Sequence, residues 1–298
     1  MSQIIRKLGV LRGVTPLNEP SDYEINCIKE INDEDFQRFK TALYELRQFE
    51  ADQQLLLICI LNLQELVKFA NNFYSRWQEK QLPSDFRMES LSPELNRLIL
   101  NFLSSVRTYL DHTATRLSRR FGKDSAELAE FKLVCSQQYD SCFEFRFMSE
   151  LRNHAQHSAL PIQNINLISN LDEESGEVVY SLRILFNRDS LLQDKKIKAS
   201  LRKEIAELEA ELDIKPFVEN TIQSVYNIEN YVVKKYSNNA IESARYMLEF
   251  IDPLSEVTGS PTVVEYDLDG MVEREKPPPL TLYNIPRHIA LDIMRIAD

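Results

Sequence analysis

The residues of this chain best suited to chemistry sit together at Arg152-Asn153-His154-Ala155-Gln156-His157, which holds two of the four histidines beside an arginine and an amide. Imidazole titrates near neutral pH, so a histidine here can take a proton from a ribose 2′-hydroxyl or give one to a leaving 5′-oxygen. A guanidinium offers several donors to the extra negative charge of a phosphorane-like transition state. Asn153, one helical turn before His157, can orient the imidazole or hydrogen-bond the phosphate. Arg152, Asn153 and His157 are therefore candidate catalytic residues, and metal-independent RNA cleavage is chemistry open to them.

These six residues close a long helical pattern, and Pro161 follows four positions after His157. On an ideal helix Arg146, Glu150, Asn153, His154 and His157 share a polar stripe about 100° wide, which makes Arg146, Glu150 and His154 accessory candidates. Phe147, Met148, Leu151 and Ala155 fill the adjoining arc and are expected to face a bundle. Arg152 stands about 140° from His157 on the same geometry. For both to meet one substrate, the last turn must loosen or the long arginine must reach round. Pro161 favours loosening, because it cannot donate to the carbonyl of residue 157 and disfavours helical geometry at Leu160. The plain alternative is a polar helix end, with Arg152 and the histidines capping carbonyls or pairing with Glu150 and other acids. Arg107 and His112 repeat the bare spacing inside a helix, where Asp111 is the i,i+4 partner expected for Arg107.

Arg152-Asn153, three residues, then His157 resembles the signature of the HEPN superfamily, many of whose members are RNases. The resemblance implies an antiparallel helical bundle and a metal-independent endoribonuclease without a cofactor. It also implies RNA as substrate and a composite site at which the motifs of two protomers face each other in a homodimer. A toxin or antiphage effector, restrained by an antitoxin or another regulatory protein, is the biological role that would follow. The competing class is a non-catalytic helical protein of dimerisation and interaction.

The surrounding pattern predicts a mainly α (α+β) chain, with an HEPN-like bundle at residues 33–160. Residues 1–32 read as an N-terminal arm or short strands, given Gly13, Pro16 and Pro20. Asp33-Glu34-Asp35 opens a helical region carrying Phe36, Phe39, Leu43 and Leu46, then Leu56, Ile60, Leu63 and Val67: one long helix or two consecutive ones. Ser92-Pro93-Glu94 marks another start, with Ser92 as cap, and Gly122 its end. Asp124 or Ser125 then caps a helix expected to run unbroken from about residue 126 into the motif. Beyond Pro161 the period changes to two, predicting a hairpin of 165–171 with 178–186 around Asp172–Gly176. Ile205, Leu208 and Leu212 have helical spacing after a basic run, Pro216 opens a further helix, and Asn238 or Asn239 caps a shorter one ending at Asp252-Pro253. Thr262–Tyr266 and Met271–Arg274 read as a second hairpin, Pro277–Pro279 as a spacer, and Pro286 as the start of a terminal helix. Residues 161–298 are thus expected to hold a β-hairpin and helices with a second hairpin.

A net charge of −11 argues against a surface that coats nucleic acid broadly, since such surfaces neutralise phosphates with Lys and Arg. A local site is still compatible with it. Arg116, Arg119 and Arg120 at a helix end are the candidate substrate-guiding cluster, although bases at a helix C-terminus are also what the dipole favours. The four cysteines are scattered, as expected for free thiols in a reducing cytoplasm, and no uninterrupted apolar run suits a signal peptide or a membrane span. No glycine-rich phosphate loop, zincin histidine pair or serine-nucleophile elbow appears, so no metal site is expected.

Overall fold

Alternating apolar residues near both ends of the chain build one small sheet, and the period-two stretch after the motif builds another. In the computed structural model, which describes residues 4–13, 23–79, 85–171, 176, 178–267 and 280–297, the remainder is mainly helical. Two compact units emerge: residues 1–52 with 234–298, and residues 53–233. This grouping cuts across the ranges 1–32, 33–160 and 161–298.

The first unit contains an antiparallel sheet of order β2-β1-β6-β7, formed by β1 (Ile4–Gly13), β2 (Tyr23–Glu30), β6 (Ser260–Asp267) and β7 (Leu280–Asn284). The N-terminal segment is therefore a strand pair. The strand Thr262–Tyr266 finds its neighbours in β1 and β7, while the expected partner Met271–Arg274 and the proline spacer lie outside the described residues. A register shift at Leu8/Gly9 brings β1 so close to β2 that a Cβ on Gly9 would stand 2.2 Å from the Asn26 carbonyl oxygen. Glycine is the residue that fits there. The start of α1 (Asp33–Gln78) adds Phe36 and Phe39, whose rings meet Tyr283 and Phe250, and the Asn32 side chain caps it through the Asp35 N–H at 2.8 Å. Alongside are α8 (Asn238–Ile251) and α9 (Arg287–Ala297), whose Met247, Ile289 and Ile293 are buried. Ser237, rather than an asparagine, occupies the α8 cap position, and Pro286 stands just ahead of α9.

α1 is one continuous helix of 46 residues. It is also the one described helix long and apolar enough, by length and composition, to cross a membrane; its most apolar stretch of 18 residues has a mean hydropathy of 1.2. Leu57, Ile58 and Leu61 on it are exposed.

The second unit holds α2 (Ser92–Phe121), α3 (Ala126–Ser141), α4 (Phe143–His157), α5 (Arg188–Gln193), α6 (Ala199–Ala206) and most of α7 (Ile214–Tyr236). A sheet of order β3-β4-β5 joins them, from β3 (Ile162–Leu171), β4 (Val178–Asn187) and β5 (Glu211–Asp213). β3 and β4 pair antiparallel, as their alternation predicts, with Ile165 opposite Ile184 and Leu167 opposite Leu182; residues 172–175 of the connecting loop lie outside the described residues.

Four local expectations need correction. Ser92 lies within α2, because a single 3-10 turn, Met88–Leu91, feeds directly into it and Leu91 takes the cap position. The helix predicted from 126 into the motif is two, since Cys142 adopts extended geometry between α3 and α4. α6 takes in only the end of the basic run, Arg202 and Lys203, with Ile205, while Leu208 lies beyond it and Leu212 sits in β5. α7 starts two residues before Pro216, with the Asp213 side chain accepting from the Lys215 N–H at 3.0 Å. Gly122, at φ 109°, and Ser125, which accepts the Leu128 N–H at 3.2 Å, end and start their helices as expected.

Candidate functional site

α4 carries the motif, and its orientation follows from one apolar arc and two buried polar residues. Phe145, Phe147, Met148 and Leu151 are buried, and the Phe147 ring packs 4.5 Å from that of Phe217 and 5.6 Å from that of Phe186. The break before α4 is secured by Arg146, whose guanidinium donates to the Tyr139 and Asp140 carbonyl oxygens at 2.9 and 3.0 Å and also pairs with Glu204. Those carbonyls end α3 and lack helical partners of their own. Arg146 therefore joins two helices and does not stand in an open polar stripe.

Two further members of that stripe are buried. His154 Nδ1 lies 2.7 Å from Asp194 Oδ2, with the side chains 3% and 6% exposed. Ser158 Oγ donates to the same oxygen at 2.7 Å and the Lys196 N–H to Oδ1 at 2.9 Å. These donors, Ser158 first, hold the Asp194 carboxyl down at about 2. Glu150 accepts from the Tyr139 hydroxyl at 3.1 Å and pairs with Lys198 at 3.2 Å, and Lys198 reaches the same hydroxyl at 3.1 Å. Burial pushes the Tyr139 phenol up, and its bonds to Tyr139 and Glu150 raise the Lys198 ammonium. The polar types of Glu150 and His154 suggested solvent; their partners, 48 and 40 residues away, draw them inward.

Asn153 and His157 are exposed and one turn apart, as helical spacing requires. The helix stays regular to its end: the Ser158 N–H donates to the His154 carbonyl at 2.8 Å, and Ser158 is the first residue to leave helical geometry. The loosened last turn expected from Pro161 is therefore absent through His157, and Arg152 keeps its separate direction. Arg152 and Asn153 line a cavity of about 640 Å³; His157 does not.

That cavity brings the two arginine-containing motifs together. α2 supplies Arg107 and Asp111, paired at 2.8 Å as their spacing predicts, and α4 supplies Glu150, Arg152 and Asn153. Leu103, Val106, Leu110, Phe145 and Met148 form its apolar wall, α3 adds Cys135, Ser136 and Tyr139, and Lys198 of the segment before α6 and Thr221 of α7 also line it. Arg152 Nε and the fully buried Thr221 Oγ1 have no hydrogen-bond partner among the described residues. Thr221 and Asp194 were not singled out from sequence, where nothing but three-dimensional proximity connects them to the motif.

The other cationic candidates stand apart from this lining. Arg116 is half-buried, and desolvation pulls its guanidinium down to about 10, against the opposing influence of Glu229. Arg119 and Arg120 are exposed, Arg120 resting 5.3 Å from the Phe121 ring centroid. All four cysteines are free; Cys27 is exposed and Cys59 buried, with burial raising the Cys59 thiol to about 11. Among the described residues, no group of three or more His, Cys, Asp or Glu side chains is arranged to hold a metal ion. Compared with known proteins, the chain matches no family model, no curated protein and no solved structure.

Proposed function

We propose that the chain is a metal-independent endoribonuclease of HEPN type that acts as a homodimer. The observation that supports this reading is the exposed His157 imidazole, held one turn beyond exposed Asn153 on the helix whose Arg152 opens into a cavity. Among the described residues no hydrogen bond or ion pair engages His157, so its ring nitrogens are available to a substrate. The imidazole takes the proton of a ribose 2′-hydroxyl as that oxygen attacks phosphorus. A second imidazole, from the other copy, protonates the 5′-oxygen as its bond to phosphorus breaks. The products are a 2′,3′-cyclic phosphate and a free 5′-hydroxyl. Arg152 neutralises the charge that builds on the non-bridging oxygens. Because Arg152 and His157 diverge by about 140° on one regular helix, the reading requires two copies of α4 at each phosphate.

Purified protein is tested on RNA in the presence of a chelator. Wild type yields fragments with 2′,3′-cyclic phosphate ends, and Arg152→Ala and His157→Ala each lose cleavage by about 100-fold or more. Undiminished cleavage in both variants removes α4 from the mechanism.

A second reading, a non-catalytic helical interaction protein, has one observation in its favour: Leu57, Ile58 and Leu61 lie exposed within an arc of about 100° on α1. Absence of cleavage by a protein shown to be dimeric favours this reading.

A further inference from the structure

We infer that the cavity lined by α2, α3 and α4 binds a monoanionic nucleotide: a nucleoside 2′,3′-cyclic phosphate, or the same nucleotide as a phosphodiester within RNA. The choice of nucleotide rests on the nuclease reading; the choice of a single negative charge rests on the cavity itself. Three cations line it, and two are already matched, Arg107 by Asp111 and Lys198 by Glu150. Arg152 is the third, and no carboxylate pairs with it among the described residues. One uncompensated guanidinium suits one negative charge. The second charge of a phosphomonoester would face Asp111 and Glu150 without a cation of its own.

The remaining chemistry of the lining fits a nucleoside. About 640 Å³ is within the ordinary range of small-molecule sites and accommodates a mononucleotide. Leu103, Val106 and Met148 give an apolar wall for the flat base. Thr221 Oγ1, fully buried and without a partner among the described residues, and the exposed amide of Asn153 are free to meet polar edges of base or sugar. A buried hydroxyl left unpaired costs free energy, and a bound polar group relieves it. The placement of Arg152 in both the cavity and the motif joins the two sites: a nucleotide held here puts its phosphate at the end of α4 that carries Asn153 and His157.

The experiment titrates the full chain, by calorimetry, with four probes: uridine 2′,3′-cyclic phosphate, uridine 3′-monophosphate, uridine and inorganic phosphate. His157→Ala protein is used so that the cyclic phosphate is not hydrolysed. The cyclic phosphate is expected to bind about tenfold more tightly than the other three, and Arg152→Gln to weaken it by about tenfold. Leu110→Trp fills the cavity from within. Ser136→Trp blocks it from the exposed surface of α3, where folding is not at stake. Each should abolish binding. Equal binding of the monoester, or binding unaffected by both tryptophans, overturns the inference. If no probe binds yet RNA is cleaved with Arg152 and His157 required, the cavity assignment fails and the nuclease reading stands. If the cyclic phosphate binds as described but RNA is not cleaved, the nuclease reading fails and the cavity remains a nucleotide site.

Discussion

His154 Nδ1 and Asp194 Oδ2 lie 2.7 Å apart with both side chains almost fully buried, tying the last turn of α4 to the segment between α5 and α6. The carboxylate calls for a proton on Nδ1, and Nε2 is buried and without a partner among the described residues. This histidine is therefore a fastener, and the imidazole available for chemistry is its exposed neighbour, His157. Ser158 and the Lys196 N–H share the same carboxylate, so removing Asp194 loosens the whole end of α4. Asp194→Ala is expected to cost about 1–3 kcal/mol in urea unfolding.

Acid should expose the same fastening. The Asp194 carboxyl is held at about 2 against an ordinary 3.8, by Ser158 foremost, then Lys196 and His154. A depressed carboxyl contributes stability in full above its unfolded value and loses it as pH falls through its folded value. Unfolding midpoints should therefore drop between about pH 4 and pH 2 in wild type, and drop less in Asp194→Asn. Parallel curves for the two proteins would show that other carboxylates dominate in that window.

A second buried acid sits deeper in the same unit. Glu229 accepts from the Tyr109 hydroxyl and from Gln53 Nε2, each at 2.6 Å, and Tyr109 is 1% exposed. Burial, reinforced by Glu229, keeps the phenol protonated by raising it. Tyr109→Phe keeps the ring and removes one donor, leaving the carboxylate under-satisfied, and should cost about 1–3 kcal/mol in thermal or urea unfolding. Restoration by Tyr109→Phe with Glu229→Gln, measured as a double-mutant cycle, isolates the pair.

Much of this architecture was legible in the sequence, and the gaps have a common cause. Period and caps disclosed α1, the Gly122 and Ser125 boundaries, the β3–β4 pair and the Arg107–Asp111 bridge, because each is set by residues a few positions apart. The elbow at Cys142 has no glycine or proline to announce it; Arg146 stabilises it by reaching back to Tyr139 and Asp140. Polar type placed Glu150 and His154 on a stripe beside the apolar arc, whereas both are buried and paired with Lys198 and Asp194, partners that no local pattern reveals. Strand β6 was recognisable, but β1, its neighbour in the sheet, begins the chain. The cavity depends on α2, α3, α4 and α7 at once, so the motif showed only Arg152 and Asn153 of its lining and hid the rest.

Gly9 offers a clean test of the first unit. A methyl group there meets backbone atoms of Asn26 and Cys27 at 3.0 Å or less, and neither backbone can yield without breaking the β1–β2 register. Gly9→Ala should destabilise by about 2–4 kcal/mol. Gly13→Ala, where nothing lies within 4 Å, provides the control and should stay within about 0.5 kcal/mol of wild type.

Arg146 is a structural arginine, to be set against Arg152, which is proposed to act on the phosphate. Its guanidinium serves two helix-end carbonyls and Glu204 at once, a task that needs a planar fork with several donors. Arg146→Met should lower stability by about 1–3 kcal/mol, and Arg146→Lys should recover only part of that, since one ammonium cannot span the three acceptors. Arg107→Ala removes an exposed ion pair and should cost less than about 1 kcal/mol. On the proposed nuclease reading, the Arg146 variants should retain RNA cleavage below their melting temperatures, unlike Arg152→Ala, because Arg146 Nη1 and Nη2 are both bonded to protein acceptors. Loss of cleavage in Arg146→Met at unchanged melting temperature would instead place this guanidinium on the phosphate and return it to the site.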